Sequence, residues 1–221
     1  MTFTASWLTK DLDLTSTFGT IRTRTLTRGD VLPADDSGTE TALVVLSGSM
    51  ESRGITLGSG DGLYGPDELT VTSGNACVLV INSRHRVDST PAVRWRYAPP
   101  NRSTDGILAD TGGFTDMGVR WLATSGTVGS SKLVVATSVF TPSGEHGAHR
   151  HPHADEFFLV TEGGGHHLSP QGAISMDVGD LVLVPAGEWH GYRTAGNTAT
   201  TSIYGYLGAG SLKQAGYELE G

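Results

Sequence analysis

An all-β chain built from two copies of one domain is what the sequence predicts, and three observations carry that prediction. Apolar residues fall in strand-length runs divided by Gly, Pro, Asp and Asn. Glycine is abundant, at 31 of 221 residues, and charged residues make up only 17%, which suits short strands and tight turns better than long helices. The two halves of the chain can also be laid over one another in a common register.

The runs come in order as TALVVLSG (41–48), CVLVIN (77–82), VRWRYA (93–98), KLVVATSVF (132–140), EFFLVTEG (156–163), DLVLVPAG (180–187) and TTSIYGYLG (200–208). None keeps a helical period for the about ten residues a helix needs, so a sandwich or barrel is expected. The stretch PPNRSTDGILADTGG (99–113), rich in Pro, Gly and polar residues, reads as a linker. Gly29, Thr41 and Gly48 stand 115 positions before Gly144, Glu156 and Gly163, without a gap. Further on, GDGLYGP (60–66) matches GDLVLVP (179–185) at an offset of 119, four residues being absent from the intervening turn of the first half. Duplication of one β domain explains both offsets and divides the chain into 1–98, a linker 99–112 and 113–221.

The formal charge of −8 and the lack of a Lys/Arg cluster exclude a nucleic-acid or anionic-membrane surface, which needs concentrated positive charge. A small-molecule partner is expected instead. Cys77 is the single cysteine, so neither an intrachain disulfide nor a thiolate cluster can form, and its apolar setting predicts a packed, inert thiol. The opening MTFTASWLTKDLDL lacks the pattern of a secretory signal, and no run approaches the about 20 apolar residues that span a bilayer. A soluble, cytoplasmic protein, monomer or homodimer, is the expectation.

HRHPHADEFFLVTEG (149–163) is the chemically dense stretch. Residues two apart on a strand share a side, so His149 and His151 can face one centre, and Glu156 at the head of the next run can bring a carboxylate to it. In GDLVLVPAGEWHGYRT (179–194), a strand and a Pro-x-Gly turn lead to His190, a third imidazole. Three nitrogen donors and one carboxylate meet most of a divalent cation's demand and leave positions open, as a catalytic site requires. His146 and His153 read as solvated surface residues, with His153 also the alternative ligand. Asp155 points away from Glu156 on the strand, and at most one of the adjacent His166 and His167 can look inward. By strand parity, Glu156 facing inward takes Phe158 and Val160 with it, and His190 takes Tyr192 and Thr194. These four are candidate pocket residues, Phe158 and Val160 reading equally well as plain core; Glu156 and Tyr192 are the candidate catalytic groups.

These residues resemble the two-part signature of the cupin superfamily. His149, His151, Glu156 and Gly163 match its first motif, and Gly179, Pro185, Gly187 and His190 match the second. Two positions depart from it: the leading glycine is Gly144, one place late, and Thr194 stands where the second motif closes on Asn. HRHPHADE is similar to the metal-binding stretch of germins and oxalate decarboxylases. The resemblance implies a bicupin of two jelly-roll barrels. Carried back through the repeat, the ligand positions fall on Ala34, Asp36, Thr41 and Val71, so a degenerate, metal-free first barrel is expected. It also implies one divalent ion per chain, Fe(II) in first place, with Mn(II), Ni(II), Co(II) or Zn(II) as alternatives. The function expected is an Fe(II)-dependent oxygenase of a small organic molecule. The alternatives are a metal-dependent isomerase or a decarboxylase/lyase of the sugar-acid or carboxylate type, or a non-catalytic metal- or ligand-binding protein.

Overall fold

A computed structural model describes residues 3–35, 38–87, 92–97 and 112–220. They form two curled sheets. After β1 (Phe3–Ser6), the first sheet takes β2 (Asp13–Thr15), β3 (Gly19–Thr27), β4 (Val31–Leu32), β5 (Thr39–Ser52), β6 (Ile55–Leu57), β7 (Gly62–Tyr64), β8 (Leu69–Arg86) and β9 (Val93–Trp95). Its order is β2-β3-β8-β5-β7-β9, with β4 on β8 and β6 on β5. The second half supplies β10 (Phe114–Ala123), β11 (Leu133–Arg150), β12 (Asp155–Glu162), β13 (Gly164–Ser169), β14 (Gly172–Asp177), β15 (Asp180–Val184), β16 (His190–Thr194) and β17 (Thr200–Leu207). A four-residue helix, α1 (Leu212–Ala215), and β18 (Glu218–Leu219) follow. The second sheet runs β1-β15-β12-β17-β11-β16-β13-β14, with β10 and β18 on β11.

The continuous apolar runs arise because their strands are buried on both faces. Along β12, Phe158 and Val160 point into the second barrel while Phe157 and Leu159 join a cluster shared by both barrels. β17 divides in the same way, Tyr204 and Tyr206 inward and Ile203 and Leu207 toward the first barrel. In the first barrel, Leu43 and Val45 of β5 face its own interior and Ala42 and Val44 face the shared cluster. Glu40 adds a polar tie: its buried carboxylate accepts from Ser131 N–H (2.6 Å), Lys132 N–H (2.7 Å) and the Ser131 hydroxyl (2.9 Å) across the junction.

The repeat seen in the sequence is a repeat of register. Ala42 and Leu43 pair with Tyr64 and Leu63, as Phe157 and Phe158 pair with Leu183 and Val182. Asp61 accepts from Gly58 N–H and Asp180 from Asp177 N–H, both at 2.9 Å. Gly48 and Gly163 take φ of 77° and 74°, and a Cβ on Gly48 would lie 2.2 Å from the Asn75 carbonyl oxygen and one on Gly163 2.0 Å from that of Ala199. Only glycine tolerates that backbone and that approach.

One strand crosses the division expected at residue 98. β1 belongs to the second sheet, where Phe3, Thr4 and Ala5 pair with Leu183, Val182 and Leu181. In the first sheet the matching edge, Tyr64, Leu63 and Gly62, is covered by Val93, Arg94 and Trp95 of β9. An uncovered edge would leave a row of backbone donors and acceptors unpaired; the second barrel meets that need with β1 from the other half, the first with β9 from the end of its own. Of the expected linker, residues 99–111 lie outside the described residues. Cys77 is buried on β8, and burial pushes its thiol up to about 11. Among the described residues, no helix is long and apolar enough to cross a membrane.

Candidate metal centre

The end of β11, the head of β12 and the head of β16 meet inside the second barrel. His149 stands opposite His190 in the β11 and β16 pairing, and Glu156 lies between Val184 of β15 and Tyr206 of β17. His151 follows β11 by one residue. All four side chains are buried, and one ligand atom from each lies within 4.8 Å of every other. Glu156 Oε2 is 2.9 Å from His151 Nε2 and 3.5 Å from His190 Nε2.

The histidines are held by their other nitrogens. His149 Nδ1 lies 2.8 Å from the Gly147 carbonyl, His151 Nδ1 2.6 Å from that of Gly216, and His190 Nδ1 2.9 Å from that of Glu188. A carbonyl only accepts, so each Nδ1 carries the proton and donates it. Each Nε2 then presents a lone pair inward, and all three are buried without a hydrogen-bond partner. Three lone pairs and a carboxylate turned on one point form a cluster that a cation would satisfy, with the outer hydrogen bonds typical of ligating histidines. Burial, then the neighbouring His190 charge, lowers His149 to about 3. Burial works to raise Glu156, but the neighbouring imidazoles of His190 and His151 outweigh it and hold the carboxyl well below its usual range. Glu156 in turn raises His190 against its burial.

Rings and aliphatic side chains surround the cluster. Phe140, Phe158 and Tyr192 pack together at ring distances of 4.7 to 6.2 Å, and Val182, Val184, Tyr204 and Tyr206 continue the wall. Among the described residues, no Lys or Arg lines the cavity. Tyr192 offers its ring, because its hydroxyl donates to Thr200 Oγ1 (3.2 Å), and burial raises its pKa to about 12.

The structure thus brings together His149, His151, Glu156 and His190, with Phe158 and Tyr192 in the cavity wall. Val160 and Thr194 share the inward parity but do not line the cavity. Val160 is fully buried in the barrel core, and Thr194 donates to the Gly144 carbonyl (3.3 Å). His146, read from sequence as a solvated residue, is a wall residue: its ring stacks on Phe114 (3.9 Å) and on His149 (3.6 Å), and its Nε2 lies 3.1 Å from the Tyr217 hydroxyl. His153 is exposed and outside the cluster. Asp155 is buried and accepts from Ala186 N–H (2.8 Å), pinning the turn that leads to His190. Of the adjacent pair, His167 looks into the cavity, with its buried Nε2 unpartnered and burial lowering its pKa to about 4. Phe114, Trp121, Leu212 and Tyr217 also line the cavity, and no motif spacing singled them out.

Ala34, Thr41 and Val71 at the matched positions of the first barrel build no such cluster. Val71 is packed in the core, and Thr41 donates to Asp35 Oδ2 (2.8 Å). Asp36 lies outside the described residues. Among the described residues, His149, His151, Glu156 and His190 form the one group of this kind.

Comparison with known proteins agrees with the geometry. Residues 136–204 match the cupin domain family. No curated protein sequence matches the chain. Among solved structures, a mutant salicylate 1,2-dioxygenase from Pseudoaminobacter salicylatoxidans aligns at a TM-score of 0.74 and 12% identity, over 100% of this chain and 88% of that one. A cupin 2 conserved barrel protein from Leptotrichia buccalis gives 0.63 and 14%, over 94% and 89%. A mutant oxalate decarboxylase from Bacillus subtilis gives 0.58 and 13%, over 94% and 77%. At these identities the likeness is one of fold, two tandem cupin barrels.

Proposed function

We propose that this bicupin is a metal-dependent enzyme, an Fe(II)-dependent oxygenase of a small organic molecule, with His149, His151, Glu156 and His190 as ligands of one divalent ion per chain. The observation that carries the reading is the set of three inward Nε2 lone pairs and one carboxylate within a ring-lined cavity. Bound there, the ion would supply a Lewis-acidic, redox-capable centre with positions open to a chelating substrate and to O2. One carboxylate among four donors leaves a divalent centre with net positive charge, which favours an anionic oxygen of the substrate.

The chain's own residues do the rest. With no Lys or Arg among the described residues of the wall, a substrate's charge is met at the centre, and its remaining body packs on Phe140, Phe158 and Tyr192. These rings exclude water and fix the plane of the substrate. His167 holds an unpartnered ring nitrogen toward the cavity and offers a neutral hydrogen-bonding group to a polar substituent. The likeness of the chain over its whole length to a salicylate dioxygenase supports an oxygenase. The likeness to oxalate decarboxylase supports the second reading, a lyase or isomerase of a carboxylate or sugar acid. A polyhydroxylated sugar acid would find few polar partners in this wall, which favours the first reading.

Metal analysis of protein purified without added metal, followed by O2 uptake against aromatic and aliphatic hydroxy- and oxo-acids, tests the proposal. O2 consumed in proportion to substrate supports the oxygenase. Turnover that proceeds without O2 contradicts it and favours the lyase or isomerase. Metal bound with no turnover on any acid points to a binding protein. Within the oxygenase reading, Glu156→Gln keeps the side chain's size and loses its charge; it should bind metal more weakly and lose most turnover even with metal in excess.

A further inference from the structure

We infer that the segment after the last barrel strand, Gly216–Leu219, is part of the metal centre, and that the Gly216 carbonyl is the positioning group for the ligand His151. The inference rests on the metal-site reading above and concerns residues outside both cupin motifs.

The three ligand histidines are not held alike. The carbonyls that orient His149 and His190 belong to Gly147 and Glu188, two residues back on the same segment. The acceptor for His151, Gly216, is 65 residues away. His149 and His190 therefore arrive oriented by their own strands, whereas His151 is oriented only when the distant segment is docked. An imidazole without that acceptor can place its proton on either nitrogen and rotate about its side-chain bonds.

The docking is built to hold that one carbonyl. His153 N–H donates to the Ala215 carbonyl (3.0 Å), so the loop carrying His151 is fastened at two successive carbonyls. Beyond them, β18 pairs Glu218 with Arg150 and Leu219 with His149, Glu218 bonds the Arg150 guanidinium at 2.6 Å, and Glu220 N–H donates to the Ala148 carbonyl (3.0 Å). The Tyr217 ring lies 5.3 Å from that of His149 and 5.9 Å from that of His151. Gly216 itself has φ 77° and ψ 159°, a region essentially confined to glycine. A Cβ there would lie 2.9 Å from Pro152 Cδ, on the residue next to His151. The backbone at Gly216 thus aims its carbonyl at His151 while its bare α-carbon lets the two segments touch.

The test is Mn(II) binding to the full chain, read from the EPR signal of free Mn(II), for the wild type, Gly216→Ala and Gly129→Ala. Gly129 has nearly the same positive φ, 76°, with nothing within 4 Å of an added Cβ, so it tests a substitution at a positive-φ glycine away from the site. Loss of an outer partner of a ligating histidine weakens metal binding by about 10–100-fold, and that loss is expected for Gly216→Ala alone. Long-range 1H–15N spectra of the metal-free protein should show His151 protonated at Nδ1 in the wild type and divided between the two nitrogens in Gly216→Ala. A chain ended at Ala215 should bind Mn(II) with a similar loss, and it serves as the test should Gly216→Ala fail to fold. Mn(II) affinity and a His151 tautomer unchanged in Gly216→Ala, or affinity unchanged in the shortened chain, overturn the inference alone. A wild-type chain that holds no Mn(II) overturns it together with the reading it rests on.

Discussion

Thr41 in the first barrel and Glu156 in the second occupy matched places on matched strands, yet one ties Asp35 to Asn82 and the other faces three imidazoles. The same contrast runs through the interiors. The first barrel is filled by Leu43, Val45, Met50, Leu57, Leu63, Leu69, Val71 and Val78, branched or flexible side chains that pack without a polar atom. The second is lined by Phe, Tyr and His rings, which leave a cavity between them and carry ring nitrogens to its centre. Registers and turns are shared, so the backbone does not decide which barrel carries the site; the side chains on its inner face do. The first barrel has a structural role as well: Ala42, Val44, Leu79 and Ile81 cover the outer faces of Phe157, Leu159, Leu181 and Ile203, the strand faces opposite the site.

The largest effects belong to the ligands. His149→Ala, His151→Ala and His190→Ala should each weaken metal binding more than the about 10–100-fold expected for an outer partner, as read by metal analysis after dialysis. The mirror-image change asks whether the first barrel tolerates a ligand. Val71→His, at the position matched to His190, sets a polar ring in an aliphatic core and should cost about 3 kcal/mol in urea unfolding with no gain of metal. A second equivalent of metal would break the distinction between the barrels.

Much of the contrast was legible in the residues. Strands buried on both faces read as unbroken apolar runs, and Gly48 and Gly163, one of the pairs that fixed the repeat, hold equivalent backbone turns. The spacing of the cluster was readable because His149 and His151 stand two apart at the end of β11, and Glu156 and His190 stand at the heads of β12 and β16. Contacts made over long separations were not readable. His146 looked solvated because Phe114 and Tyr217, which bury it, lie far away in the chain. β1 left its own half because the β15 edge needed a partner, which no periodicity reveals. β3, with Thr at alternate positions and few apolar residues, gave no run to recognise. Parity placed Val160 and Thr194 on the inward face but could not say how far along the barrel the cavity extends.

Two smaller effects sharpen the comparison. Glu40→Ala strands the N–H groups of Ser131 and Lys132 at the junction and should cost about 2 kcal/mol; a single unfolding transition in both proteins would mean the barrels melt as one unit. Asp67 belongs to the first barrel alone. Burial works to raise its carboxyl, but hydrogen bonds from Ser52, Glu68 N–H and Arg53 and the Arg94 charge outweigh it and lower it. A carboxyl lowered on folding adds stability above its unfolded pKa of about 3.9, and that stability is lost as pH falls through the folded value. Asp67→Asn should therefore be less stable than the wild type by about 1 kcal/mol at pH 7, with the gap closing in acid.

Counting metal per chain by mass spectrometry under native conditions tests the central claim most directly. The account predicts one ion per wild-type chain, one in Thr41→Ala and none in His190→Ala. Two ions in the wild type, or one retained in His190→Ala, would contradict it.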